Sequence, residues 1–280
     1  MRTDRPPTLL IVAGSDPTAG AGLQADLKTA TCLGVYAYTA VTAITLQDGQ
    51  RVHAVHPLEA RQVAEQMRIC LTNLPVDAIK LGMLANRGIL LAVSEVLHEW
   101  PHIPVIADPV LAGTGGGTLL ESEGTELYLT HLLPHITLLT PNLPEAERLS
   151  GLRVRTLPDM EQAARRLAGH RPTTVLITGG HLPGDTLTDL LWDGKNVELF
   201  HSQRLPGPGF HGTGCTLTTA IAVGLAQGKS SSEAVRYALL YLRRAMIDSL
   251  PLGAGQRLLN HPPGALPLDP ARGDNPPWTP

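Results

Sequence analysis

The stretch Gly209-Phe-His-Gly-Thr-Gly-Cys-Thr-Leu-Thr-Thr-Ala-Ile-Ala-Val-Gly-Leu-Ala-Gln-Gly228 decides how the chain is read. Its first half, His211-Gly-Thr-Gly-Cys215, is a tight glycine turn in which only His211 and Cys215 carry bulk. Its second half is apolar at helical spacing, with Leu217, Ala220, Ile221 and Leu225. A glycine turn that opens a helix leaves backbone N–H groups unpaired and pointing one way. With the helix dipole behind them, those groups form a seat for an anion. Cys215 falls at or near the first turn, where its thiol pKa is expected to fall and its thiolate to be accessible near neutral pH. The stretch thus offers an anion cradle beside a candidate base. The alternative is a helix start packed tightly on a strand, with Cys215 a small buried hydrophobe.

Outward from this stretch, composition narrows the class. The 280 residues are 43% hydrophobic but only 4% aromatic, so a core must come from Leu, Val, Ile and Ala. A net charge of −3 without a basic run points away from nucleic acid and from polybasic membrane surfaces. Cys32, Cys70 and Cys215 lie far apart with no CxxC pair. Neither a zinc knuckle nor a disulfide framework is suggested, and reduced thiols in the cytoplasm fit best. The apolar run Leu9–Ala13 is too short for a signal h-region or a membrane span.

That run, within Thr8-Leu-Leu-Ile-Val-Ala-Gly14, reads as a strand buried on both faces. A small-residue loop, Ser15-Asp-Pro-Thr-Ala-Gly-Ala-Gly22, and a helix from about Leu23 to Leu33 follow it, the opening of a βαβ unit. The loop suits a nucleotide or the close approach of a substrate. Val35–Leu46 is β-branched and aromatic and ends at the turn Gln47-Asp-Gly49. Gln47 offers an amide that donates and accepts, or is a solvated turn residue. Helices are expected at about 58–74, 89–100, 123–132, 159–169 and 231–247. Strands are expected at 77–82, 103–110, 136–140 and 174–180, and residues 189–200 suggest a hairpin. Gly113-Thr-Gly-Gly-Gly117 is a mobile loop candidate. Asp108 and the pair Asn142/Glu145 fall just past strand ends, where open α/β sheets bind ligands. Asn142 and Glu145 could hold a hydrated Mg²⁺ beside phosphates, or Glu145 could simply be a first-turn acid.

The steady alternation predicts one α/β domain over residues 1–260. Its central sheet is mostly parallel, with helices on both faces and an antiparallel edge, and a Pro-rich tail without its own core follows at 261–280.

Several short motifs now stand in order along residues 8–250. They are Ala13-Gly-Ser-Asp-Pro17 with Gly20-Ala-Gly-Leu-Gln-Ala-Asp-Leu-Lys28, Thr42-Ala with Gln47, Lys80-Leu-Gly-Met83, Asp108-Pro-Val110, Thr140-Pro-Asn-Leu-Pro-Glu-Ala146, Gly179-Gly-His181 and His211-Gly-Thr-Gly-Cys-Thr216. The ordered set resembles the hydroxymethylpyrimidine/phosphomethylpyrimidine kinases of the ribokinase-like superfamily, with its three-layer fold. The resemblance implies phosphorylation of an aminopyrimidine hydroxymethyl group, and then of the monophosphate, with ATP and Mg²⁺. Carried over by position, Gln47 would pair with the pyrimidine, and Gly14, Ala21, Met83 and Val110 would line its pocket. Asp108 and Glu145 would organise metal and phosphate, and Asn142, Thr178 and Gly180 would lie along the nucleotide. The N–H groups of Gly212, Thr213 and Gly214 would stabilise the transferred phosphoryl group, and Cys215 would be the base. A homodimer is implied as well.

Three positions depart from the family pattern. Thr178 stands where Lys is frequent, Asp48 where Asn is frequent, and Gly253-Ala-Gly-Gln-Arg-Leu258 replaces a Gly-x-Gly-His-Gly-Pro-like stretch. A pyridoxal kinase of the same superfamily is the nearest rival reading, and a non-catalytic pyrimidine-binding or regulatory protein is a rival of another class. No GxGxxG follows a strand, which argues against a dinucleotide enzyme.

Overall fold

The structure is a computed structural model that describes residues 5–48, 51–111, 122–169, 173–207, 209–252 and 256–262. Its strands are β1 (Thr8–Ser15), β2 (Tyr36–Gln47), β3 (Val52–Pro57), β4 (Ala78–Leu81), β5 (Val105–Ala107), β6 (Leu138–Leu139), β7 (Thr174–Ile177), β8 (Thr186–Trp192), β9 (Val197–Gln203), β10 (Phe210–His211) and β11 (Arg257–Leu258). Its α-helices are α1 (Gly22–Cys32), α2 (Ala60–Asn73), α3 (Arg87–Glu99), α4 (Ser122–Leu127), α5 (Leu143–Ser150), α6 (Leu157–Ala168), α7 (Thr213–Ala226) and α8 (Ser231–Ile247). Helix α4 runs on into a π-helical turn over Tyr128–Leu132.

Nine strands form one sheet in the order β3-β2-β1-β4-β5-β6-β7-β8-β9. The pairs from β2 through β7 are parallel, while β3 on β2, β8 on β7 and β9 on β8 are antiparallel. The expected antiparallel edge is therefore present at β8–β9, and a second one, β3, closes the other end. Strand β1 shows why the sheet is covered on both sides. Leu10 and Val12 enter a core beneath α2, α3, α5 and α6, whereas Leu9, Ile11 and Ala13 enter a second core beneath α1, α7 and α8. A strand buried on both faces has no polar alternation, which is why the run reads as continuous apolar sequence.

Parallel strands bring their C-terminal ends to one rim. Gly14, Gln47, Asp108, Asn142 and Thr178 lie at or just past the ends of β1, β2, β5, β6 and β7. The glycine loop Gly113–Gly117, residues 263–280 of the expected tail and residues 253–255 lie outside the described residues.

Candidate active site

Helix α7 is the centre of the rim. Gly212 is its N-cap with φ +85°, and no side chain caps the helix, so the first N–H groups stay free for an outside acceptor. Any Cβ at Gly212 would overlap the Gly20 carbonyl oxygen, so glycine is needed for both conformation and space. Three buried threonines of α7 fix its position. Thr218 Oγ1 lies 2.7 Å from Thr140 Oγ1, past β6, and Thr219 Oγ1 donates to Asp26 Oδ1 of α1 at 2.7 Å. Thr216 Oγ1 lies 3.0 Å from His261 Nε2 of the C-terminal segment. Close packing of α7 on α8 is possible because Gly224 faces Ala234 without a side chain.

The loop after β1 is tied to the same turn. Asp16 Oδ1 accepts from the Thr18 N–H and hydroxyl, each at 2.8 Å, and its Oδ2 accepts from the Ala21 N–H at 2.8 Å. Asp16 Oδ2 also lies 3.0 Å from His211 Nε2. Burial acts to raise the Asp16 carboxyl, but the His211, Thr18 and Ala21 bonds outweigh it and hold it far below the usual carboxylate range. Arg257 and Leu258, within the altered 253–258 stretch, pair with Phe210 and His211 and so brace the turn from behind.

Two cavities open on either side of this turn. The smaller, about 120 Å³, is lined by Gly14, Ala21, Gln47, Met83, Val110 and Cys215, together with Lys80, Asp16 and His211. Every residue expected to line a pyrimidine pocket is thus brought to one place. Gln47 is half-buried at the end of β2, not a solvated turn residue. The larger cavity, about 250 Å³, is lined by Asp108, Asn142, Glu145, Thr178, Gly180, Thr213 and Gly214, and by Asp189 from β8. Its far wall is aliphatic, with Leu187, Leu239, Leu242 and Met246. Among its described lining residues Arg243 is the one lysine or arginine, and Thr178 brings no positive charge to the cavity.

The carboxylates of the larger cavity are perturbed. A Cβ on Gly214 would lie only 3.0 Å from Asp108 Oδ2, so glycine lets that carboxylate reach the helix start. Burial pushes Asp108 up to about 6, against the pull of Lys80. Burial and then the Asp108 charge push Glu145 up to about 8. Glu145 also serves as a capping residue. It accepts from the Asn142 N–H at 2.9 Å while Asn142 Oδ1 accepts from the Glu145 N–H at 3.0 Å. The first-turn role read from sequence is therefore real and coexists with a place in the cavity.

This pair predicts a pH dependence. The folded state binds the Glu145 proton more tightly than an ordinary glutamate does. Its stabilising effect is full below about pH 4.5 and is lost as pH rises towards 8. Glu145→Gln, which keeps an acceptor for the Asn142 N–H, should flatten the decline in melting temperature between pH 5 and 8 in metal-free buffer. Parallel curves for the two proteins would refute this.

Cys215 corrects one expectation. It keeps part of its surface open to the smaller cavity, but its thiol pKa does not fall. Burial pushes it up to about 12, against the opposing pull of the Lys80 ammonium and of a hydrogen bond from the Gly22 N–H, while Asp26 and Asp108 add to the rise. The walls contributed by distant strands outweigh the helix start. Lys80 itself is wholly buried, 2.6 Å from Asp26 Oδ2. It enters the sequence reading only within a motif, although a lysine inside an otherwise apolar strand is itself a signal.

Residues 16–260 match the phosphomethylpyrimidine kinase family. The chain belongs to that family. It is 41% identical over 256 residues to the hydroxymethylpyrimidine/phosphomethylpyrimidine kinase of Streptomyces coelicolor, covering 91% of this chain and 94% of that one. It is 40% identical to the thiamine biosynthesis bifunctional protein of Geobacter sulfurreducens, covering 91% of this chain but 52% of that one, so the chain spans about half the length of that relative. The fold is similar to that of Bacillus subtilis pyridoxal kinase in complex with ADP, with a TM-score of 0.83 at 33% identity over 91% of this chain and 96% of the other. The ribokinase-like α/β architecture expected from sequence is thus the one observed, and the chain is a kinase of this family, not a non-catalytic binding protein. Among the described residues no helix is long and apolar enough to cross a membrane.

Proposed function

We propose that this kinase transfers the γ-phosphoryl group of ATP to the hydroxymethyl oxygen of 4-amino-5-hydroxymethyl-2-methylpyrimidine, and then phosphorylates the monophosphate to the pyrophosphate. One observation carries the reading: the two cavities flank a single helix turn, with Cys215 in one and Thr213 and Gly214 in the other. An acceptor in the smaller cavity and a nucleotide in the larger would place the moving group over the N–H groups of Gly212, Thr213 and Gly214. Phosphoryl transfer needs positioning and charge neutralisation above all, and that turn is suited to supply both. Gln47 would pair with the aminopyrimidine, and Gly14, Ala21, Met83 and Val110 would close around the ring. Asn142, Thr178 and Gly180 would follow the nucleotide phosphates.

Asp108 and Glu145 fit a magnesium site. They are hard oxygen donors whose mutual repulsion a divalent cation would relieve, and two carboxylates completed by phosphates and water is a common arrangement for this ion. Bound there, Mg²⁺ would draw charge from the phosphate oxygens. The described residues form no cluster of three or more metal-ligating side chains, which agrees with a site completed by the nucleotide. The reading carries with it a cytoplasmic homodimer, for which the exposed Ile44 and Leu46 on β2 offer apolar surface.

A thiol held near 12 is neutral at pH 7. For Cys215 to accept the alcohol proton it must ionise in the loaded site, and Lys80 is the cation placed to favour that. The second transfer has a phosphate nucleophile and needs no base. Cys215→Ala should therefore slow the first transfer at least about 10-fold more than the second, within the usual contribution of a positioned base. Equal loss in both steps would remove the base role.

The defining experiment is a coupled ADP-release assay with hydroxymethylpyrimidine, its monophosphate and pyridoxal side by side. Turnover of both pyrimidines supports the proposal. The likeness to a pyridoxal kinase favours one second reading, in which pyridoxal is the preferred acceptor, and faster turnover of pyridoxal than of either pyrimidine would establish it.

A further inference from the structure

Asp189 is a titratable group in the larger cavity that the proposed chemistry leaves without a task. It lies on β8, on the same strand face as Leu187, since side chains two apart share a face. Its Oδ1 accepts from the Gly179 N–H at 2.8 Å, which leaves Oδ2 without a hydrogen-bond partner among the described residues. Burial pushes the carboxyl up to about 6, while the Gly179 bond opposes this.

Its position says what it would meet. Gly179, to which it is bonded, sits between Thr178 and Gly180, which both line the cavity, and Thr178 is bridged to Asn142, next to the Glu145 carboxylate. Leu187, its neighbour along the strand, belongs to the aliphatic wall with Leu239 and Met246. Asp189 therefore stands at the junction between a polar end suited to phosphates and an apolar end suited to a nucleobase. In a nucleoside triphosphate the group at that junction is the ribose. A ribose diol supplies O–H donors, and a carboxylate with a spare oxygen is an acceptor that lacks one.

We infer that Asp189 is a specificity-determining residue that accepts a hydrogen bond from a ribose hydroxyl of the bound nucleotide, so that the enzyme selects ribonucleotides over deoxyribonucleotides as phosphoryl donors. The inference rests on the nucleotide reading of the larger cavity. A spare carboxylate paired to a hydroxyl discriminates strongly, because a nucleotide lacking that hydroxyl would cover the acceptor and leave it unpaired.

The test compares kcat/KM for ATP, 2′-deoxy-ATP and 3′-deoxy-ATP with hydroxymethylpyrimidine as acceptor. Wild-type enzyme should prefer ATP over at least one deoxy analogue by about 10-fold or more, the range of a hydrogen bond to a charged group. Asp189→Asn keeps an acceptor for the Gly179 N–H but replaces the spare oxygen by an amide, and should shrink that preference to about 3-fold, in keeping with a neutral bond about half as strong. Asp189→Ala should abolish it. A residue that only shapes the Gly179 loop would lower turnover with all three donors and leave the ratio untouched, so an unchanged ratio in both variants overturns the inference. Equal use of the three donors by wild-type enzyme overturns it without any variant having to fold. Failure of wild-type enzyme to release ADP from ATP would instead strike the nucleotide reading itself.

Discussion

Lys80→Met should lower the melting temperature by about 6–20 °C. Breaking a buried ion pair by removing one partner costs about 3–5 kcal/mol, and each kcal/mol is worth roughly 2–4 °C in a chain of this size. The pair concerned, Lys80 with Asp26, has both side chains at 0% exposure. Left alone, the Asp26 carboxylate would keep, among the described residues, only the Thr219 hydroxyl as a side-chain partner. The double change Lys80→Met with Asp26→Leu should recover much of the loss, since a buried pair replaced by apolar residues of similar volume is often neutral. Thermal unfolding of the three proteins checks this, and a double variant no more stable than the single one would contradict it. Activity should not return with stability. Lys80 faces the smaller cavity beside Cys215, so the restored protein would still lack the cation there. That split between recovered folding and lost turnover separates the part Lys80 plays in the core from its part in the site.

Gly212→Ala should reduce kcat by about 10²–10³-fold, the cost of losing a donor aimed at developing charge. The φ of +85° is itself unfavourable for alanine by about 1–2 kcal/mol, and the added methyl would collide with the Gly20 carbonyl. Relief requires either the helix start or the β1–α1 loop to move, and the first shifts the N–H groups while the second opens the smaller cavity. The measurement is steady-state ADP release at saturating acceptor, with circular dichroism to show that the helices remain. A variant that folds and turns over within about threefold of wild type would mean that the turn is not where charge develops.

Much of this architecture is legible in sequence, for reasons that differ by element. β1 announces itself because burial on both faces leaves an unbroken apolar run. The central strands are shorter than their apolar runs suggest: β5 covers Val105–Ala107 and β6 only Leu138–Leu139. Pro104, Pro109 and Pro141 flank them, and proline removes the donors that would extend the ladder. β3 escapes the reading because Val52–Pro57 lies at the sheet edge, with two histidines and no buried residue. Candidate ligand residues at strand ends were findable because a parallel sheet gathers those ends at one rim. The Cys215 thiol was not, because the helix start is local information, whereas the walls that exclude water come from β4 and β5, more than a hundred residues away. Asp189 was hidden similarly: in sequence it is the ordinary polar member of a hairpin, and only the fold sets it beside Gly179.

The sealed Lys80–Asp26 pair has one more consequence. Ions in solution weaken attraction between charges that both sides of the contact expose to water, as in Arg68–Glu99 or Arg165–Glu161 on the surface. They do not reach a pair enclosed on every side. The attraction within that pair should thus be the same in dilute buffer as in a salt-rich medium, while long-range attraction of an anionic nucleotide towards the rim should vary with ionic strength.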